Sequence, residues 1–283
     1  MSADSLIDTV RRDDPDRYLA ALFAPETVRA RLWALYAFNA EIARIPASVT
    51  EPVIGEMRLA WARDAVSDLY ASPPRVRRHP VYEALAALRG QSGGPVQDDL
   101  AVMIEARNAD LGEGAFPDAA EREAYVDRTS GLVMRLAAGI CAPDWQAGEE
   151  GHAALIAAGR LWGYAGLLRQ FTRLCAAGRP PITGQELAVS GASLEVLRRG
   201  LQPDKALLAR GGLVDAARGA AAVLDASRKS LPAEIFPAIG YVRLARPVLK
   251  AAARQTNPYA PAAQTPLILR QLRLLGASLT GRV

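Results

Sequence analysis

The chain reads as all-α, and three observations carry that reading. Apolar residues recur at three and four along most of its length, proline and glycine punctuate those stretches, and no run alternates polar and apolar residues between turn dipeptides. Of its 283 residues, 50% are hydrophobic and 23% charged, the balance of a chain that folds around a core. Alanine and leucine, both strong helix formers, are abundant. Aromatic residues make up only 6%, so an aliphatic interior is expected.

The first long helix is expected after Pro25, with Glu26 in its first turn. Leu32, Leu35, Tyr36, Asn39 and Ile42 make one face before Pro46 interrupts it. Met57, Trp61, Ala65 and Leu69 repeat at four along the next, which ends near Ser72-Pro73-Pro74. Shorter helices follow from Val81 to Arg89, stopped by Gly90, and from Val96 to Leu111. Asp118 caps a helix that reaches Cys141, and Pro143 breaks it. Glu149 to Ala177 reads as one long helix whose Gly159, Gly163 and Gly166 share roughly one face and admit a close neighbour. Further helices are expected over Pro203–Lys229, Pro232–Arg254 and Pro261–Leu275. Within the last, Leu267, Ile268, Leu269, Leu272, Leu274 and Leu275 stand with Arg270 and Arg273. A core helix is the expectation there, and a peripheral helix on an anionic membrane the alternative. Neither a fixed-period repeat nor a long linker divides the chain, so residues 1–283 are read as one domain around a shared interior.

The net charge is +4 and spread along the chain. Its densest patch, Arg75, Arg77, Arg78 and His79, lies in a proline-rich loop and reads as solvated. No basic stripe carries aromatic stacking partners, so nucleic acid is not expected as a partner. Cys141 and Cys175 read as buried, reduced thiols, and two histidines are too few for a zinc site. The acidic start lacks the apolar core of a signal peptide, and no run of about 18 apolar residues occurs. The expected location is the cytoplasm, with peripheral contact at the inner membrane. Asp64 and Asp68, at i and i+4, present a carboxylate pair that suits Mg²⁺, but adjacent Arg63 and the apolar stripe favour a solvated face. Asp98-Asp99 suits the start of a helix, while Glu105, Arg107 and Asp110 suit an ion-pair network. No Ser-His-Asp or Cys-His set and no phosphate-cradling glycine loop can be assembled, so residue chemistry alone yields no catalytic residue and no metal ligand.

Two stretches carry a resemblance. Arg17-Tyr18-Leu19, Leu22-Phe23-Ala24-Pro25, Arg29 and Trp33-Ala34-Leu35-Tyr36-Ala37-Phe38 form the first. Gly166-Leu167-Leu168-Arg169 with downstream Gly178-Arg179 forms the second. Asp110-Leu111, Tyr125, Ser130-Gly131, Leu231-Pro232 and Phe236-Pro237 are intermediate landmarks. Over about residues 15–255 the chain resembles the squalene/phytoene synthase family. Ala37 to Ala43, Ser48 to Pro52, and Ile54-Gly55 with Met57-Arg58 resemble its aspartate-poor branch, of the mitochondrial complex I assembly factor 6 type.

The resemblance implies an isoprenoid-synthase-like helical bundle around a central cavity, with the helices of Ala43 and Gln170 facing each other. It also implies what is missing. Ala43, Arg44 and Ala47 stand where the family has its first aspartates, Gln170 and Leu174 where it has the second, and Asn39-Ala40 replaces a Cys-Arg pair. Those aspartates hold the Mg²⁺ that neutralises a departing diphosphate. The implied function is therefore a non-catalytic helper in assembly of the respiratory NADH:quinone oxidoreductase, one that needs no cofactor and binds a prenyl diphosphate or other isoprenoid lipid. The alternative is a Mg²⁺-dependent prenyl diphosphate condensing transferase with a rebuilt site. In the degenerate diphosphate site, Arg29, Arg44, Arg169 and Arg173 would grip an anion without metal. Leu35, Phe38, Leu167 and Phe171 would line the cavity for its tail. Complex I subunits are the expected protein partners.

Overall fold

A computed structural model describes residues 3–260 and 265–281. Among these, regular structure is helical throughout, apart from one isolated bridge between Phe116 and Thr183. Two short helices, α1 (Ala3–Asp13) and α2 (Pro15–Ala21), precede the first long one; they were not expected from periodicity. Asp14 caps α2 and Pro15 opens it, where proline's missing N–H costs nothing. Helix α3 (Glu26–Arg44) follows Pro25 as expected and buries Leu32, Leu35, Tyr36, Phe38, Asn39 and Ile42.

Helix α4 (Pro52–Tyr70) buries Gly55, Leu59, Ala62, Ala65, Val66 and Leu69. The expected stripe through Met57 and Trp61 is corrected: both side chains are exposed. A strict repeat of four drifts by about 40° per step on a helix of 3.6 residues per turn, whereas Gly55, Leu59, Ala62, Val66 and Leu69 alternate fours and threes and, with Ala65 beside them, stay on one face. Next come α5 (Pro80–Ala86) and α6 (Gln97–Glu105), the latter tightening into a 3₁₀ turn over Ala106–Asp110. Helix α7 (Ala119–Val126) runs through a π turn at Asp127–Gly131 into α8 (Leu132–Cys141).

Helix α9 (Glu149–Arg169) occupies the interior. A Cβ on Gly159 would lie 2.7 Å from the Gly131 Cα, and one on Gly163 would lie 2.5 Å from Val126 Cγ1, so these glycines set the approach of α9 to the π turn. Gly166 has open space around it and plays no such part. The expected single helix to Ala177 bends at Gln170 (φ −97°, ψ 4°), and α10 (Phe171–Ala176) starts anew.

Helix α11 (Gly184–Ser190) opens with a capping box between Thr183 and Glu186, and α12 (Leu194–Arg198) with a Ser193 cap. Helix α13 (Pro203–Ser227) packs along α9. The expected helix Pro232–Arg254 is four pieces: a 3₁₀ turn Ala233–Ile235, α14 (Phe236–Ile239), a 3₁₀ stretch Gly240–Leu244, and α15 (Ala245–Arg254). Helix α16 (Leu267–Thr280) ends the description, and the expected start at Pro261 lies outside the described residues.

One core cluster joins α1 to α9, α13 and the segments after Ile235; a smaller one gathers Phe171, Cys175, Ile182, Leu197, Ala206 and Ala209. Between them they make one all-α domain. Arg17 is buried inside the larger cluster. It pairs with Asp14 at 2.7 Å, and its guanidinium lies 5.1 Å from the Tyr241 ring, 5.7 Å from Tyr36 and 5.9 Å from Trp162. These partners raise its pKa despite burial, so it stays charged.

Candidate functional site

The two degenerate stretches approach one polar hub from different sides. Asn39, buried on α3, accepts a hydrogen bond from Arg107 Nη2 at 3.2 Å. Arg107 Nη1 reaches Asp110 Oδ2 at 3.4 Å. Asp110 also accepts from the Tyr125 hydroxyl at 3.0 Å, while Arg179 donates to the Asp110 carbonyl oxygen and lies 3.4 Å from its carboxylate. Burial, the largest cause, and the neighbouring Asp110 carboxylate push the Tyr125 phenol well above its usual range, so it donates as a neutral hydroxyl. From the second stretch, Leu167 and Leu174 line the pocket beside Asp110, Tyr125 and Arg179. That pocket holds about 160 Å³. Drug-sized ligands occupy pockets of roughly 300 Å³ and above.

The expected apolar lining is split. Leu35 and Phe38 are fully buried in the packed core, Phe38 against Tyr82. Leu167 does line the pocket by Asp110, whereas Phe171 belongs to the smaller cluster beside Tyr259 and Arg210. Close packing, which removes voids wherever complementary side chains meet, accounts for this.

The four arginines expected to grip an anion do not converge. Arg29 donates to the carbonyl oxygens of Leu22 and Ala24, at 3.3 and 2.9 Å, and so closes the C-terminal end of α2. Arg44, half exposed, pairs with Glu41 and with Asp13 at 3.5 Å. Arg169 lies over the Trp162 ring at 4.4 Å and pairs with Asp16 at 3.2 Å; Arg270 holds the other oxygen of Asp16 at 3.2 Å. Arg173 donates to Gln170 at the exposed surface. Ala43 is half-buried, and Ala47 is exposed in the 3₁₀ turn Pro46–Ser48. The acidic N-terminal residues thus neutralise two of the four. Asp13 and Asp16 are remote in sequence from Arg44 and Arg169, so no local pattern announced the pairing.

Asp68 on α4 accepts from Arg75 and Arg77, which hold its carboxyl below the usual range against a desolvation that is its largest single cause and raises it. Asp68 is therefore taken up in ion pairs, and Asp64 is exposed. Among the described residues, no three His, Cys, Asp or Glu side chains are grouped to hold a metal ion.

A second concavity is larger. About 940 Å³ opens between α2, the end of α9, α15 and α16. Arg12, Arg169, Arg254 and Arg270 line it, over a floor of Leu168, Leu244, Pro247 and Val248. The sequence placed Arg169 in an anion site and Arg270 only in the last helix, and did not join them, because the groove brings together segments about 250 residues apart.

The fold has known counterparts. It matches squalene synthase HpnC from Alicyclobacillus acidocaldarius with a TM-score of 0.74 at 18% identity, over 90% of this chain and 94% of that one. A dehydrosqualene synthase solved with a ligand matches with a TM-score of 0.78 at 14% identity, over 99% and 95% of the two chains. Among curated relatives, complex I assembly factor 6 from Bos taurus is 31% identical over 131 residues, and its Homo sapiens counterpart 29%. Those matches cover 46% of this chain and only 38% of the relatives' length. The family model described as squalene/phytoene synthase matches residues 10–273. That match over nearly the whole length makes this chain a member of the squalene/phytoene synthase family.

Proposed function

We propose that this chain is a non-catalytic member of its family that assists assembly of the respiratory NADH:quinone oxidoreductase, acting from the cytoplasmic side of the membrane. The observation that carries the reading is the state of the motif positions. Ala43, Ala47 and Leu174 offer no donor atom, and Arg44 is paired with carboxylates. Gln170 is bonded to Arg173 and Asn39 to Arg107. Ionising a diphosphate needs a cluster of hard cations on carboxylates, and these side chains cannot supply it. Relatives carrying the name of a complex I assembly factor support the role. The exposed Val53, Ile54, Met57 and Trp61 on α4 give a client protein an apolar face bearing the residue types that anchor interfaces.

A gene deletion tests this. Loss of assembled oxidoreductase and of membrane NADH:quinone activity, restored by the wild-type chain, is the expected result. Normal activity in the deletion strain rejects it. In parallel, the purified chain with farnesyl diphosphate and Mg²⁺ is expected to release no diphosphate above a heat-treated control; release would favour the condensing transferase.

The groove in which Arg254 stands with the ion-paired Arg12, Arg169 and Arg270 favours a second, compatible reading, in which the chain holds an anionic prenyl lipid on Arg254 without turning it over. Native mass spectrometry of copurifying lipid, repeated on Arg254→Ala, checks it: a bound lipid lost in the variant supports this reading, and a lipid-free wild type removes it.

A further inference from the structure

Among its described residues α16 buries Leu274 and Ala277 alone, so the expectation of a core helix is corrected. Ile268, Leu272, Leu275 and Leu279 form an exposed outer stripe on it. Its first turn carries Arg270, which ends in the groove of about 940 Å³ between α2, α9, α15 and α16. There the carboxylate of Asp16 is divided between two helices. Asp16 Oδ2 lies 3.2 Å from Arg169 Nη1 of α9, and Asp16 Oδ1 lies 3.2 Å from Arg270 Nη1 of α16. The Asp16 side chain is 12% exposed, so it is largely withdrawn from water and lives on these two partners.

The pair of arginines is under-filled. One carboxylate between two guanidiniums leaves one positive charge uncompensated. Asp13 is likewise shared, between Arg12 and Arg44, and Arg254 has no ion pair among the described residues. In space, then, the groove holds more guanidinium than carboxylate. Each arginine gives Asp16 one N–H at 3.2 Å, longer than the roughly 2.7–2.9 Å of a good charge-assisted bond, and neither makes the two-pronged contact that a guanidinium prefers. Both guanidiniums are nonetheless held in place by contacts that do not involve Asp16. Arg169 lies 4.4 Å over the Trp162 ring, and Arg270 Nε donates to the Thr265 carbonyl oxygen at 2.9 Å. They would keep their orientation if the carboxylate left. A phosphate group brings more oxygens and more charge than a carboxylate, and it fits two such forks at once.

We propose that Asp16 is the built-in occupant of an anion site formed by Arg169 and Arg270, an autoinhibitory contact that a phosphate-bearing ligand displaces. The inference rests on the groove being an anion site, as the second reading above has it, and adds how that site is kept closed. Titration calorimetry with inorganic pyrophosphate in EDTA tests it on the full chain. D16N is expected to bind at least about tenfold more tightly than the wild type, and R169Q placed in D16N to lose that gain. A unit charge removed about 10 Å away in water changes an anion's affinity by about twofold. A D16N gain of that size or less therefore overturns the proposal, as does a gain that survives R169Q. A fall in the Tm of D16N without a gain in affinity overturns it in favour of a purely structural ion pair. If D16N unfolds in plain buffer, its recovery with pyrophosphate but not with sodium chloride at equal ionic strength supports the proposal, and recovery with both equally, or with neither, overturns it. Farnesyl diphosphate run in parallel separates two sources of the phosphate: the D16N gain supports the proposal with either ligand, tighter binding of the farnesyl compound assigning a lipid head group and equal binding a free phosphate. Copurification keeps the two readings apart. A lipid-free wild type removes the lipid reading while a D16N gain stands, and a lipid-bearing wild type without that gain removes this inference alone.

Discussion

Helices α9 and α16 are both rich in apolar residues, yet they meet opposite fates. Thirteen of the 21 residues of α9 are buried, among them Leu155, Leu161, Trp162, Leu167 and Leu168. Of the described α16, only Leu274 and Ala277 are. The difference lies in shape. Gly151, Ala154, Ala158, Gly159 and Gly163 let other backbones approach α9 from several directions, so α13, α15 and the π turn surround it. Helix α16 carries leucine around most of its circumference and meets neighbours on one side only. Apolar content fixes how much a helix stands to gain from burial; small residues decide how many neighbours reach it.

The sharpest way to break this comparison is to remove the small residues. Gly163→Leu drives a side chain into Val126 Cγ1 and the Ser130 side chain, 2.5 and 2.9 Å from the added Cβ. A loss of about 3 kcal/mol is expected, the upper end for overpacking, and urea denaturation reads it. The same substitution at Gly166, where nothing lies within 4 Å, is the control and should cost under about 1 kcal/mol.

How much of this was legible in the sequence differs by element. Helix α3 was, because Pro25 and Pro46 bound a clean pattern from Leu32 to Ile42. So was the close packing at Gly159 and Gly163. The outward turn of Trp61 was not, since a repeat of four suggests one face while slowly leaving it. Nor was the site. The arginines at Arg44 and Arg169 were visible, but Asp13 and Asp16 complete them across intervals that no periodicity spans. Asp110, Tyr125 and Arg179 stood out as landmarks, and only three dimensions join them into a hub.

Trp162 of α9 also helps hold the buried Arg17. Arg17→Met keeps the length of the stem and removes the charge, leaving Asp14 without its partner in a site only 15% exposed. A loss of about 2–3 kcal/mol is expected, smaller than for a fully buried pair because Asp14 retains some water. Full stability in this variant would mean that the cation contributes only its packed stem.

Cys175, at the start of the smaller cluster just beyond α9, extends the comparison to pH. Burial pushes its thiol from 9.0 up to about 12, so the folded chain holds it neutral. The raised value adds stability that is complete below pH 9.0 and declines as pH climbs toward 12. Near pH 10 the cost is expected on the order of 1 kcal/mol. Cys175→Ala should flatten that part of the stability curve, and an unchanged slope would assign the alkaline loss to other groups. Native-state alkylation at neutral pH should leave Cys175 unmodified for the same reason.

The smallest expected effect belongs to α16, and it separates the two helices most directly. Leu274 is 1% exposed and Leu279 78% exposed, on one helix and with one side-chain chemistry. Leu274→Ala removes apolar atoms from the core against α2 and the Gly240–Leu244 stretch, and should cost what a buried leucine costs, about 2–3 kcal/mol. Leu279→Ala removes atoms that already face solvent and should lie within about 0.5 kcal/mol of the wild type. Thermal melts of the two variants in detergent-free buffer read the contrast. If Leu279→Ala destabilises as much as Leu274→Ala, then the outer stripe is buried in solution, against another copy or against the chain itself, and its leucines belong to the fold. If it does not, the outer stripe contributes nothing to folding, and the inner face with Leu274 and Ala277 is what ties α16 to the core.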